Sequence, residues 1–183
     1  MAGEGFYDAG LLRQIATNLF YGWGYNFYRA ENQLRADDQL VRSKAASLLG
    51  EAMASVCAAE SAYRREFLPP PSRAKPFPDA AAMADAQRLE KLGRDIGAIE
   101  AALQHQPVPA NDRMTQRYRE EAPTLQKLLG YDEQLIGQCE LMRTTVNGKD
   151  AATILKKLPD LEAGLVALRA TLHDRESVLL NPA

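Results

Sequence analysis

Residues 89–103 read Leu89-Glu90-Lys91-Leu92-Gly93-Arg94-Asp95-Ile96-Gly97-Ala98-Ile99-Glu100-Ala101-Ala102-Leu103. Leu89, Leu92, Ile96, Ile99 and Leu103 alternate spacings of three and four without a miss. A helix needs that stripe to bury one face. Sustained over several turns, it is a coiled-coil-like seam.

The same spacing recurs at Leu158, Leu161, Leu165, Leu168 and Leu172. Between the two lies Leu125, Leu128, Asp132, Leu135, Cys139, Met142 and Val146, with one polar intruder. A fourth seam differs in size: Val41, Ala45, Leu48, Ala52, Ser55 and Ala59. Its small residues let a neighbour come close, so this helix is expected at the centre. Beta-branched residues are scarce, and no long run alternates with period two.

Proline and glycine mark the breaks. Leu68-Pro69-Pro70-Pro71-Ser72-Arg73-Ala74-Lys75-Pro76-Phe77-Pro78 cannot be helical. Gln106-Pro107-Val108-Pro109-Ala110-Asn111 is a second break. At Asn147-Gly148-Lys149, glycine suits a helix C-cap and Asp150 can cap the next helix. Helices are therefore predicted over 79–105, with Asp79 as N-cap, over 112–146 and over 150–180. Pro123 should kink the second or mark its true start, and Pro159 interrupts the third. Residues 8–67 are too long for one compact helix. Halving them near Ala36-Asp37 gives pieces of about 30 residues and 45 Å, although no glycine or proline stands there.

The expected fold is all-α, an elongated antiparallel bundle of four or five long helices. One helical domain spans 1–183. Residues 1–67 form an aromatic-rich hairpin or long helix, 68–78 a proline-rich linker, and 79–180 a three-helix segment.

Two charges fall on seam positions, Asp132 and, continuing the last stripe, Arg175. A hairpin folded about Gly148 would leave them some 11 residues, roughly 16 Å, apart along the axis. That count predicts no ion pair. It sets Asp132 opposite Gly164 and lets Arg175 reach solvent at a fraying helix end.

Function is best sought in residues 6–28, which hold Phe6, Tyr7, Phe20, Tyr21, Trp23, Tyr25, Phe27 and Tyr28, most of the chain's aromatic residues. Leu12, Ile15, Ala16, Leu19, Trp23, Phe27, Ala30 and Leu34 make a core stripe, with Tyr21, Tyr25 and Tyr28 on an adjoining face. Over Leu19–Tyr28 the helix would be apolar almost all round, and so buried on several sides or in contact with a partner. Gly22 and Gly24 imply a bend or a close neighbour. The bland expectation is that the rings are core. The sharper one is a partner groove or ligand pocket built from Tyr21, Trp23, Tyr25 and Tyr28, with Asn18, Asn26 and Arg29 as polar handles.

A membrane span needs about 20 mainly apolar residues, and Arg13, Gln14, Asn18 and Asn26 interrupt any such run here. No basic stretch and cleavage site mark a signal peptide. The net charge is −2 and the pI about 5.8, with both signs interspersed, which argues against a nucleic-acid footprint. Arg64, Arg65, Arg73 and Lys75 are the only basic cluster, expected to be solvated beside the linker. Cys57 and Cys139 are expected to be buried free thiols, so a cytoplasmic location is expected.

No catalytic motif emerges. His105 and His173 are the only histidines, and neither follows a glutamate at the spacing of a bundle metal site. Phosphate loops and nucleophile elbows are absent. No metal or cofactor is expected. The expected role is a protein-interaction module, a scaffold, adaptor or chaperone-like bundle, binding another protein or itself. The competing expectation is a sensor or cofactor-free enzyme holding a small apolar ligand in an aromatic pocket of the first helix.

Overall fold

The computed structural model describes residues 3–24, 34–73, 76–106 and 121–180. Among them there are helices and no strands: α1 Glu4–Tyr7, α2 Ala9–Gly22, α3 Leu34–Phe67, α4 Ala80–Gln104, α5 Glu121–Val146, α6 Ala151–Lys156 and α7 Leu158–Leu180. The all-α bundle follows from the seams. Leu89, Leu92, Ile96, Ile99 and Leu103 are buried along α4, and Leu161, Leu165, Leu168 and Leu172 along α7. Each such side chain contributes about 1.5–3 kcal/mol of hydrophobic free energy. The small seam of α3 lies against α4, α5 and α6, as its alanines suggest.

Cross-contacts fix the helix directions. Gly97 of α4 faces Met53 of α3 and Arg64 binds Glu90 at 2.8 Å, so α3 and α4 are antiparallel. Ser55 reaches Asn147 at 3.4 Å and Arg143 reaches Glu51 at 3.4 Å, so α3 and α5 run parallel. Asp79 caps α4 by accepting from the Ala81 N–H at 3.2 Å. Asp150 caps α6 by accepting from the Thr153 N–H at 2.9 Å. Pro123 falls in the first turn of α5, where a missing N–H costs little.

Three expectations are corrected. First, the break near Ala36-Asp37 does not form: those residues lie within α3. The chain instead leaves α2 at Gly22, with Trp23 as C-cap and Gly24 in the left-handed region at φ 68°. The glycines about Trp23 therefore end a helix, and no continuous helix runs from Leu19 through Gly24 towards Tyr28.

Second, Asp132 and Arg175 do form an ion pair, Arg175 Nε donating to Asp132 Oδ1 at 2.6 Å, with both side chains fully buried. The hairpin count fails because the chain does not turn straight back at Gly148. The short α6 crosses the end of the bundle, touching α3 and α4. The return helix starts only at Leu158, with Pro159 in its first turn. Asp132 lies 14 positions before the end of α5 and Arg175 17 positions after the start of α7, a difference of three residues, or about 4.5 Å. The space expected opposite Gly164 is filled by the Phe6 ring, whose carbons come within 2.7 Å of where a Cβ would sit.

Third, Cys57 is exposed, and only Cys139 is buried. Cys57 follows the buried Val56 and turns towards the edge of α4, where its sulfur lies 3.5 Å from the position of a Gly93 Cβ.

Among the described residues no helix is long and apolar enough to cross a membrane.

Candidate functional site: the outer face of the N-terminal helices

The site is built on α1 and α2, which lie across α5 and α7. Asp8 makes the corner between them. Its carboxylate accepts from the N–H groups of Gly10 and Leu11, both at 3.0 Å, which satisfies donors at the start of α2.

The inner side is tightly fitted. Phe6 is buried on Gly164 of α7. Gln138 Nε2 donates to the Phe6 carbonyl at 3.1 Å, and the Gly3 N–H donates to Asp160 Oδ1 at 3.0 Å. The backbone of Leu12 crosses Gly137 of α5 so closely that a Cβ there would lie 2.5 Å from the Leu12 oxygen. Each helix-interior glycine costs roughly 1 kcal/mol against alanine, and at Gly137 and Gly164 this is the condition for close approach. Leu12, Ala16 and Phe20 complete the buried side.

The outer side is unlike the rest of the surface. Tyr7, Leu11, Gln14, Asn18 and Tyr21 follow one another at spacings of four and three, and all are exposed. Tyr21 is 89 % exposed, the most open of the large apolar residues among those described. Arg13 is the only cation in α2, and it is tied to Glu133 at 3.0 Å. A face of tyrosine, leucine and amide groups, poor in lysine and glutamate, has the composition of an interface core.

The sequence-predicted residues divide. Tyr21 stands out in solvent. Trp23 turns inward, half-buried, with its ring 5.9 Å from that of Phe20 and the Lys44 ammonium 4.9 Å from its centroid. Tyr21 and Trp23 thus face different ways. Tyr25, Asn26, Tyr28 and Arg29 lie outside the described residues. Sequence reasoning did not single out Tyr7 and Leu11: the spacing from Leu11 to Tyr21 is helical, but Tyr7 lies beyond the Asp8 corner and its hydroxyl donates to the Ala163 carbonyl of α7 at 3.4 Å.

Larger grooves lie on other helices. One of about 710 Å³ runs between α3 and α4, beside Arg42, Ser43 and Glu100. Another of about 570 Å³ lies where α3 passes the α5–α6 turn. A third, of about 330 Å³, brings together His105, His173, Glu176 and Arg169. That convergence of the only two histidines was not legible from their separation in the chain. Among the described residues no three His, Cys, Asp or Glu side chains are grouped to hold a metal ion.

The inner end of the bundle carries a polar network. Arg175 Nη1 donates to Gln106 Oε1 at 3.0 Å, Gln106 Nε2 donates to the Leu172 carbonyl at 2.8 Å, and Arg42 Nη1 donates to the Gln106 carbonyl at 3.0 Å. The network joins α3, the end of α4, α5 and α7. Burial, and then the neighbouring Glu140 carboxylate, push the Cys139 thiol well above its ordinary range. Hydrogen bonds from Thr153, side chain first and then backbone, hold the Asp150 carboxyl below its usual value.

Comparison with family models, with curated proteins and with solved structures found no match for this chain.

Proposed function

We propose that this chain is a protein-interaction module that presents the stripe Tyr7, Leu11, Gln14, Asn18 and Tyr21 to another protein. The observation that carries this reading is the exposure of Tyr21 on a helix whose opposite side is fixed to α5 through Gly137. A tyrosine held in solvent on a packed helix offers a large contact with few rotatable bonds to order. An aromatic pocket would gather Tyr21, Trp23, Tyr25 and Tyr28 around a cavity; of these Tyr21 and Trp23 face different ways, and Tyr25 and Tyr28 lie outside the described residues. The docking face therefore has the stronger support.

The test is site-specific photo-crosslinking in extracts of the native host. A photoreactive phenylalanine at position 21 should trap one discrete partner. The same probe at Val166, an exposed apolar position on α7, should not. A Leu11→Ser/Tyr21→Ser variant should lose the partner and keep its helix content and denaturation midpoint. Equal labelling from positions 21 and 166, or a partner retained by the double variant, would remove the docking face from consideration.

A further inference from the structure

α3 and α4 run on beyond the end of α5, where α6 crosses them. Ser55 is level with Asn147, just past the end of α5, and α3 continues for about 12 more residues, or 18 Å. On this overhang Tyr63 and Phe67 lie ring against ring at 4.6 Å. Beside them, where α3 passes the α5–α6 turn, is the groove of about 570 Å³. Its floor is Ala58, Ala59 and Ala62, its wall is the aromatic pair, and its acids are Glu66 and Asp150, opposed by Lys149.

The connection from α3 to α4 is also out of proportion. Helix–helix connections in bundles use roughly 2–8 residues; here about 12 separate Phe67 from Ala80. Five of them are proline, and Pro76-Phe77-Pro78 holds Phe77 84 % exposed. The arm's charges, Arg73 and Lys75, are both positive. Proline-rich segments bind aromatic-lined grooves because their extended form is already ordered. The arm thus has the shape and the charge to suit the groove, yet among the described residues none of the arm lines its own groove, and Phe77 stands exposed.

We propose that residues 68–78 of one copy occupy the alanine groove of a second copy, and that two exchanged arms close a two-fold dimer. Phe67 is both the last wall of the groove and the residue before the arm. Two molecules set tip to tip therefore place each arm against the other's groove. The contact is self-complementary and stops at two. Arm and groove together give each copy about 23 residues of contact, within the usual 20–30 per side. Arg73 meets the acids Glu66 and Asp150.

Sedimentation equilibrium on the full chain tests this. The native protein should dimerise, and Phe77→Ser should weaken the dimer at least about 30-fold, as loss of an aromatic anchor does. Ala62→Arg, at an exposed helical position, should do the same by blocking the groove while circular dichroism stays unchanged. Mixed, the two variants should form a heterodimer, because one retains an intact arm and the other an intact groove. A native chain still monomeric at ~200 µM overturns the proposal, as does a dimer that both variants retain. A monomer that binds added 68–78 peptide would assign the groove to a foreign proline-rich ligand instead. Neither substitution touches the face around Tyr21, so crosslinking from position 21 fails or succeeds independently.

Discussion

The α4 and α7 seams share one spacing and differ in one respect. Along α4 every inward position from Leu89 to Leu103 is apolar. Along the α5–α7 pair, the same alternation includes Asp132 and Arg175, both fully buried and bonded to each other. An all-apolar seam tolerates sliding by a heptad, because the next leucine replaces the last. A single buried charge pair does not, since any slip strands two ions in a low-dielectric interior. The α5–α7 pair thus carries a register mark. Through Gln106 that mark also reaches the end of α4, and Arg42 of α3 reaches the same residue.

The largest expected effect tests that mark. Arg175→Met should cost about 4 kcal/mol in urea unfolding, since it leaves the Asp132 carboxylate buried without the guanidinium. Asp132→Leu with Arg175→Met should recover most of the loss. A single variant costing less than about 1 kcal/mol would show the pair to be more hydrated than its burial indicates. In the apolar seam, Ile96→Ala should cost about 3 kcal/mol from lost contacts and the cavity left behind. No second substitution nearby should rescue it as the ionic double variant is rescued.

How much of this was legible follows from what spacing encodes. The stripe on α4 and the seam positions of Asp132 and Arg175 came directly from threes and fours. Their pairing did not, because α6 inserts a crossing whose length only the folded chain reveals. Gly22 and Gly24 were visible as anomalies, but a bend and a helix end look alike in sequence. The docking of α1–α2 was illegible for another reason. Gly137 and Gly164 record that something comes close, not which element does.

Glycine sharpens the comparison at smaller amplitude. Gly137→Ala drives a Cβ into the Leu12 backbone and should cost about 1–3 kcal/mol. Gly130, on the same helix, has nothing within 4 Å of a Cβ, and Gly130→Ala should stabilise by up to about 1 kcal/mol. Thermal denaturation of the two variants should move the midpoint in opposite directions.

The smallest effect concerns pH. Asp150 is held below its usual range by Thr153, so its contribution is present above the unfolded carboxylate value. It is lost as pH falls through the lower folded value. Asp150→Asn keeps an N-cap and should flatten this acid limb of the stability profile. An unchanged limb would place the titration elsewhere.

The two thiols make the molecule its own clock. Cys57 is open to reagent, whereas Cys139 is sealed between helices with its proton tightly held. Alkylation should therefore proceed in two stages, one immediate and one no faster than the bundle opens. The slow stage reports how often α5 leaves its neighbours, read from a thiol the chain already carries.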